Sequence, residues 1–321
     1  MSVLITGGAG FLGTQLIDDF LRNGHKVTAF DFVEPREATR ERFRQALDNG
    51  ALNYVQGDIS DRDFLFSLLG NTGGDPVIHL AGILTTGCDK DPDLAMKVNV
   101  NGFRDVLEGA RLSGNRRVVL ASTISVYGRG LPQPINESMA TEPDGWYGLS
   151  KLMCEQMGLL YSRRFGLDFR AVRLAAVTGP GRSAASGSAS LYTSFIPEKA
   201  ALGEPYTIEV AEDTAYPVVY IKDAAAALFS LANTDSAPRR IYNISSGRVV
   251  ASDLVAAVKE IIPDARFTFQ PDPLVMAVVG GFGNWEIDCR RAEEDLGFRA
   301  RFTVGEMVRD IIAFARRGDA G

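Results

Sequence analysis

Tyr147 and Lys151 stand four residues apart in the segment YGLSK, so a helix would carry the phenol and the ammonium on one face. A tyrosine with an ordinary pKa of about 10 is a poor base at neutral pH. A neighbouring lysine cation favours the phenolate, which would let the phenol exchange a proton with an alcohol. The same spacing is common on solvated helix faces, so its meaning depends on the residues around it.

Three glycines form a second candidate site near the N-terminus. Gly7, Gly10 and Gly13 follow a short apolar stretch and begin a predicted helix, in the spacing GxxGxxG. This is a variant of the fingerprint that binds dinucleotides. A tight turn needs residues without a Cβ, and a pyrophosphate needs close approach to backbone N–H groups at a helix start. A purely structural glycine turn has the same spacing, so the motif also depends on its context.

Acidic residues after the next two strands supply that context. Asp31 ends the second predicted strand, about 20 residues beyond the glycines, where a carboxylate hydrogen-bonds the adenosine ribose. It would repel a 2′-phosphate, so we expect NAD rather than NADP, although Arg36 lies nearby. Asp58 is a candidate to accept a hydrogen bond from the adenine amino group. A helix N-cap or a turn is a nearly equal interpretation of Asp58.

The elements that must position these residues alternate along the first half of the chain. The predicted strands are residues 3–5, 26–30, 52–55, 76–80, 117–121 and 168–174. The predicted helices are residues 11–23, 61–69, 92–113 and 146–165. Several strands are apolar on both faces, as buried parallel strands are. The pattern predicts an α/β fold with a Rossmann, doubly wound parallel sheet.

The second half predicts a smaller C-terminal α/β substrate lobe. We expect an NAD-binding Rossmann domain at residues 1–174 and a mainly substrate-binding lobe at residues 175–321, with elements near 218–250 returning to the first sheet. Residues 179–194 are rich in Gly, Ser and Ala, which favours a loop ordered by substrate; a disordered loop is the alternative. Further predicted elements are strands at 206–210 and 241–244, helices at 223–232, 252–262 and 303–316, and a Pro/Gly-broken segment at 271–285.

Composition argues against several other functions. The formal net charge is −6 and no Lys/Arg cluster stands out, so we expect no nucleic-acid partner. Three cysteines without CxxC spacing and only two histidines predict reduced thiols and no metal site. The apolar N-terminus lacks a basic region, and no apolar run reaches the roughly 18 residues of a membrane span, so we expect no signal peptide, no membrane partner and a cytoplasmic location.

Together the motifs resemble the extended short-chain dehydrogenase/reductase (NAD-dependent epimerase/dehydratase) family over nearly the whole chain. The matching segments are TGGAGFLG at 6–13, Asp31, Gly57-Asp58-Ile59, His79-Leu80-Ala81-Gly82, Asn99-Val100-Asn101, STISVYG at 122–128 and YGLSK at 147–151.

The resemblance implies roles for individual residues. It implies that Tyr147 is the general acid/base, that Lys151 also binds the nicotinamide ribose, and that Thr123, with Ser122 beside it, is the catalytic Ser/Thr. The implied cofactor-binding residues are Gly7, Gly10, Phe11, Leu12, Gly13, Asp31, Asp58, Ile59, Leu80, Ala81, Gly82, Asn99, Tyr147, Lys151, Leu174 and Val177. His79 would then be a packed residue at the end of the sheet rather than a ligand.

Departures from the family pattern reduce the range of substrates that we expect. Members that act on nucleotide sugars carry an Arg-aromatic-Phe-Asn segment where this chain has Arg173-Leu174-Ala175-Ala176, and a phosphate-binding arginine where it has Tyr216. A diphosphate without its cationic partner would be held poorly. The C-terminal half is most similar to the D-erythronate dehydrogenase group, notably at residues 181–195, 197–206, 269–273 and 289–297.

This similarity implies NAD-dependent oxidation of the secondary 2-hydroxyl of a small sugar acid to a 2-keto acid. The expected substrate residues are Thr85, Thr123, Tyr147, Arg182 and Ser190; Thr86, Ser186 and Ser188 are further candidates for the carboxylate. An L-threonine dehydrogenase-like enzyme, a sugar epimerase or dehydratase, and a non-catalytic NAD-binding regulator are the alternatives. The resemblance also suggests a homodimer built through the helices at 92–113 and 146–165.

Overall fold

The computed structural model describes residues 2–115, 117–184, 188–283 and 285–317. Its strands are β1 (Ser2–Thr6), β2 (Lys26–Asp31), β3 (Leu52–Gln56), β4 (Val77–His79), β5 (Arg117–Thr123), β6 (Asp168–Leu174), β7 (Ala176–Thr178), β8 (Tyr206–Ile208), β9 (Ala215–Tyr220), β10 (Ile241–Ile244), β11 (Gly247–Val250) and β12 (Phe267–Phe269).

Helices connect these strands. They are α1 (Phe11–Arg22), α2 (Glu37–Arg42), α3 (Arg44–Asp48), α4 (Arg62–Asn71), α5 (Thr85–Lys90), α6 (Pro92–Ala95), α7 (Gly102–Leu112), α8 (Trp146–Phe165), α9 (Tyr192–Ala201), α10 (Ile221–Asn233), α11 (Ala251–Lys259), α12 (Pro273–Val279), α13 (Arg290–Leu296) and α14 (Val304–Arg316). A π-helical turn, Met96–Asn101, joins α6 to α7, and 3₁₀ turns lie at Ile124–Val126 and Gly280–Phe282.

A parallel sheet forms the centre of the fold. Within the described ranges it has seven strands in the order β10-β6-β5-β4-β1-β2-β3. Alternate residues of a strand pack into different layers: Val3 and Ile5 belong to the core cluster that includes α1 and α10, and Leu4 to the cluster that includes α4, α7 and α8. Because both faces are covered, most of the buried residues of these strands are apolar, although β6 also carries the buried Arg170 and Arg173. The predicted doubly wound α/β fold is confirmed.

The remaining strands form two smaller sheets. One has the order β11-β9-β7, with β11 antiparallel and β7 parallel to β9; the other pairs β12 with β8. Helix α10 contacts α1, and β10 pairs with β6 of the large sheet, whereas β9 and β11 lie in the three-stranded sheet. The division of the chain into domains at residue 174 stays a prediction.

The segments at 92–113 and 271–285 differ from the sequence prediction, and helices α2, α3, α5 and α13 and strands β7, β11 and β12 were not predicted. The single helix expected at 92–113 is divided by the π-helical turn, a local irregularity of the kind that occurs inside α-helices. The segment at 271–285, expected to be broken by Pro and Gly, contains α12. Pro273 occupies its first turn, where proline is tolerated, and the Asp272 side chain accepts from the amides of Leu274 and Val275 at 2.8 and 3.1 Å.

No helix within the described residues is long and apolar enough to cross a membrane.

Candidate active site

The glycine loop lies between β1 and α1, at the carboxyl end of the sheet. Gly7 has φ +74°, and a Cβ there would lie 2.7 Å from the backbone nitrogen of Ala81. A Cβ on Gly13 would lie 2.2 Å from the carbonyl oxygen of Gly7. Any larger residue would therefore disrupt the turn. The result is a backbone cradle at the start of α1, which is the surface a dinucleotide pyrophosphate requires.

Asp31 lies at the end of β2 beside this loop. Its Oδ2 accepts a hydrogen bond from the Ala9 amide at 3.0 Å, and its Oδ1 accepts from the Val33 amide at 3.2 Å. Asp58 accepts from the Ser60 amide at 2.8 Å, and this hydrogen bond lowers the pKa of the Asp58 carboxyl. The turn interpretation of Asp58 thus has a physical basis, and its contact with adenine stays a prediction.

Helix α8 carries the tyrosine and the lysine. The Lys151 ammonium nitrogen lies 5.9 Å from the centre of the Tyr147 ring and donates a hydrogen bond to the Ala121 carbonyl at 3.0 Å. Lys151 is buried, and its aliphatic chain crosses from α8 to β5. Thr123, at the end of β5, accepts from the Ser125 amide at 3.1 Å. The side chains of Tyr147, Thr123 and Lys151 thus line one cavity near the end of β5.

The pKa shifts of Tyr147 and Lys151 oppose the expected formation of a phenolate. Burial raises the pKa of the Tyr147 phenol, and the thiols of Cys88 and Cys154 raise it further. Burial also lowers the pKa of the Lys151 ammonium. The charge of Lys151 alone favours the phenolate, but the desolvation of both groups opposes it. The phenol therefore needs additional positive charge nearby before it can ionise near neutral pH.

Ser122 points toward a buried ion pair. Its hydroxyl donates to Glu155 Oε1 at 2.6 Å, and Glu155 is paired with Arg173. Of the two neighbouring hydroxyls, Thr123 is the one without a carboxylate partner among the described residues. A catalytic role for Ser122 stays a prediction. Glu155 was missed from the sequence, although its place four residues after Lys151 on the same helix could have indicated it.

Asn99 and His79 hold neighbouring parts of the site by hydrogen bonds. Asn99 donates to the Ile83 carbonyl at 3.0 Å and to Ser150 Oγ at 3.2 Å, and accepts from the Ile83 amide at 2.7 Å. It lies in the π-helical turn, which places its amide against the loop after β4. His79 is buried, and its Nδ1 lies 2.8 Å from Thr6 Oγ1. Burial lowers the pKa of His79 well below its ordinary value, as expected for a packed neutral residue.

One cavity, about 270 Å³ in volume, joins the glycine loop to the tyrosine and lysine. Its lining includes these predicted residues: Gly7, Gly10, Phe11, Leu12, Gly13, Leu80, Gly82, Thr85, Ser122, Thr123, Tyr147, Lys151, Leu174, Val177, Arg182 and Ser190. Other predicted site residues lie outside that lining, namely Asp31, Asp58, Ile59, Ala81 and Asn99.

Arg182 lies in the same cavity. It is 9% exposed, and it donates to Ser190 Oγ at 3.2 Å and to Ser188 Oγ at 2.7 Å. No carboxylate lies within ion-pair distance of its guanidinium in the part of the chain that the structure describes. Burial lowers the pKa of Arg182 to about 10. A buried cation without an acidic partner is costly unless a ligand supplies the anion.

Ser186 and Tyr216 are two further residues that the sequence analysis singled out. Ser186 lies outside the described residues. Tyr216, considered before only as the replacement of a phosphate-binding arginine, lines the cavity near Arg182. Only the tertiary structure reveals that Tyr216 lies near Arg182, because the two residues are 34 positions apart in the chain.

Comparison with known proteins identifies the family. Residues 3–245 match the model of the NAD-dependent epimerase/dehydratase family. The chain belongs to this family. D-erythronate dehydrogenase from Cupriavidus necator is 31% identical over 96% of this chain and 97% of its own length.

Two solved structures extend the similarity. The holo form of a GalE-like L-threonine dehydrogenase from Cupriavidus necator is 28% identical, with a TM-score of 0.86 over 98% of this chain and 99% of its own. L-threonine dehydrogenase from Phytophthora infestans has the same identity, TM-score and coverage.

These matches confirm the predicted family and cofactor. The chain is an NAD-dependent oxidoreductase that acts on a CH–OH group of a small molecule. The glycine cradle and the cavity that continues from it fit such a dinucleotide.

Proposed function

We propose that this enzyme oxidises the secondary 2-hydroxyl of a short sugar acid, D-erythronate or a close aldonate, to the 2-keto acid. One observation carries the proposal: Arg182 is a buried cation that lines the same cavity as Tyr147 and has no acidic partner among the described residues. A monocarboxylate would neutralise it. The similarity to D-erythronate dehydrogenase supports the same substrate class.

The cofactor would lie along the glycine loop. The amides at the start of α1 would hold the pyrophosphate, Asp31 the adenosine ribose and Lys151 the nicotinamide ribose. Phe11, Leu12, Asp58, Ile59, Leu80, Ala81, Gly82, Leu174 and Val177 would complete the binding surface, with Asn99 supporting it. When bound, oxidised NAD supplies the hydride acceptor and a positive charge at the nicotinamide ring.

Two residues of the chain, Tyr147 and Thr123, would act on the substrate hydroxyl. Tyr147 takes the proton of the substrate hydroxyl, and Thr123 holds the oxygen in place by a hydrogen bond. Because burial raises the pKa of Tyr147, the phenol gives up its own proton only while positive charge lies close to it. Lys151 contributes one such charge from 5.9 Å. Tyr147 would therefore exchange a proton with the substrate only when the Lys151 ammonium and oxidised NAD are both close to it.

The substrate carboxylate would bind at the other end of the cavity. Arg182 would supply the charge and Ser190 would fix the guanidinium, and Thr85, at the start of α5, lines the same cavity. A site with fixed cationic donors rejects a neutral analogue because the donors are then left unpaired.

L-threonine is the second candidate, because the two solved structures reported above are L-threonine dehydrogenases. It too is a carboxylate with a secondary hydroxyl. It also carries an ammonium group, for which an acidic side chain would be the best partner. The described lining of the cavity includes no Asp or Glu, which favours a hydroxy acid over an amino acid.

A screen of NADH formation by absorbance tests the proposal. Four-carbon aldonates are compared with the matching alditols, with L-threonine and with nucleotide-diphosphate sugars. We expect turnover of D-erythronate or a close aldonate and at least about tenfold lower kcat/KM for the uncharged alditol. Preference for threonine would favour the second candidate. Equal activity on acid and alditol would contradict the role of Arg182, and conversion without net NADH would indicate an isomerase.

The assembly is a separate proposal: two copies associate through α7 and α8. Exposed large apolar residues are grouped on these helices, with Leu112 on α7 and Trp146, Leu149, Leu160 and Phe165 on α8. Leu149 and Leu160 are about three helical turns apart and share a face. Sedimentation velocity should find a dimer, and a variant with both leucines changed to Glu should be monomeric. A monomeric unmodified chain would contradict the proposal.

A further inference from the structure

Tyr216 occupies the wall of the cavity beside Arg182. It lies on β9, where it pairs with Val249 of β11, and its side chain is 8% exposed. Its ring packs against Phe282 at 5.4 Å between ring centres. Strand pairing and ring packing together hold the phenol in one position.

The hydroxyl of Tyr216 is an unused donor. It makes no hydrogen bond to another described residue, although it borders the cavity and interacts electrostatically with Arg182. Burial raises the pKa of this phenol, so it is a neutral O–H donor near neutral pH. A hydroxyl on a cavity wall that has no partner among the described residues can donate its hydrogen bond to a ligand or to water.

Arg182 also has N–H groups that make no hydrogen bond to the described residues. A guanidinium has five N–H groups. Nη1 donates to the carbonyl and hydroxyl of Ser190, and Nη2 to Ser188, so the described contacts leave Nε and part of Nη2 unused. A carboxylate can accept about four hydrogen bonds. Arg182 and Tyr216 together offer one positive charge and several donors, which suits a monoanion better than a diphosphate.

We propose that Tyr216 is a specificity-determining residue, whose phenol donates a hydrogen bond to the substrate carboxylate that Arg182 neutralises. This assignment rests on the proposed function. An arginine here would give the cavity a second fixed cation and favour a more highly charged ligand. The neutral phenol keeps the hydrogen bond and omits the charge, which restricts the site to small monocarboxylates.

Tyr192 offers a matched control. Its hydroxyl is buried without a hydrogen-bond partner among the described residues, and it lies close enough to Tyr216 to interact with it electrostatically. It is not part of the described cavity lining. Tyr192→Phe therefore removes the same atom from the same neighbourhood without removing a donor to the substrate.

The experiment compares Tyr216→Phe, Tyr192→Phe and the unmodified holoenzyme on D-erythronate and on the uncharged alditol. Tyr216→Phe should raise KM for the acid about tenfold, leave kcat within about twofold, and leave the alditol unchanged. The affinity for D-erythronate, measured by calorimetry with NAD present in a Tyr147→Phe background, should fall by the same factor. Tyr192→Phe should alter neither.

The possible failures are distinct. If the unmodified enzyme oxidises the acid and Tyr216→Phe neither raises KM nor weakens binding, the role of Tyr216 is wrong and the proposed function stands. Equal losses on acid and alditol would show a general packing defect and would also overturn the assignment. If the unmodified enzyme neither binds nor oxidises any four-carbon aldonate, the proposed function fails and this assignment fails with it.

Discussion

Glu155 and Arg173 form a buried ion pair beside β5, with Arg173 Nη2 2.7 Å from Glu155 Oε2 and side chains 0% and 5% exposed. Ser122 donates to the same carboxylate, and Tyr127 accepts from Arg173 at 2.9 Å. The pair therefore joins α8, which carries Tyr147 and Lys151, to β5 and β6. Its charges are fully satisfied within the described network, which is the condition under which a buried ion pair is tolerated.

Glu155→Gln should destabilise the protein strongly, because it leaves the buried charge of Arg173 without compensation. We expect the free energy of unfolding to fall by about 3–5 kcal/mol in denaturant titration. Asp144→Asn is the control. Asp144 pairs with Arg129 at 2.9 Å, but these side chains are 53% and 59% exposed. Its loss should cost about 1 kcal/mol or less, and similar losses in both variants would contradict the argument.

Local sequence patterns were sufficient to predict strands of the large sheet. Residues of β1 and β5 are buried on both faces, so an apolar run identifies these strands without knowledge of their neighbours. In β6 the buried Arg170 and Arg173 interrupt the apolar residues. The spacing of Tyr147 and Lys151 likewise determines that they share a helix face. These features depend on interactions a few residues apart.

The rest of the site depends on contacts that are distant in the chain. The pKa of Tyr147 follows from burial beneath several elements, and the neighbours of Arg182 include a strand that begins at Ala215. Desolvation is a property of the assembled structure. The π-helical turn that places Asn99 has no distinct sequence period either.

Asp31→Ser should relax the choice of cofactor. The carboxylate lies beside the glycine loop, where it would repel a 2′-phosphate. We expect kcat/KM for NAD to fall about tenfold and the ratio of NADP to NAD activity to rise. Glu34→Gln, at an exposed neighbour paired with Arg40, is the control and should leave the ratio unchanged. An unmodified enzyme that already prefers NADP would refute this role for Asp31.

Tyr147→Phe should lower kcat by about 10²–10⁴ and leave NAD affinity within a few-fold, because it deletes the proton acceptor and little binding surface. Turnover is followed by NADH absorbance and NAD binding by fluorescence titration. Tyr161→Phe is the matched control on the same helix, since its hydroxyl donates to Glu108 rather than to the cavity. Substantial activity of Tyr147→Phe at neutral pH would assign the base to another residue.

Glu198→Gln should make the protein more stable at neutral pH and alter it little in acid. Glu198 Oε2 is buried without a hydrogen-bond partner among the described residues, and burial raises the pKa of its carboxyl despite the nearby cations of Lys199 and Arg36. Because the folded pKa exceeds the unfolded one, the stabilising contribution of this group is present below the unfolded pKa. It is lost as pH rises through the folded pKa. Glutamine removes the charge that causes the loss.

Unfolding free energies at about pH 4 and about pH 7 measure the effect of Glu198→Gln. The difference between variant and unmodified protein should grow with pH between these values. Glu294→Gln is the control, because Glu294 pairs with Arg239 at 2.5 Å at the surface, and its removal should give no gain at neutral pH. A gain that is equal at both pH values would instead reflect packing of the amide, since only a titrating carboxyl makes the difference depend on pH.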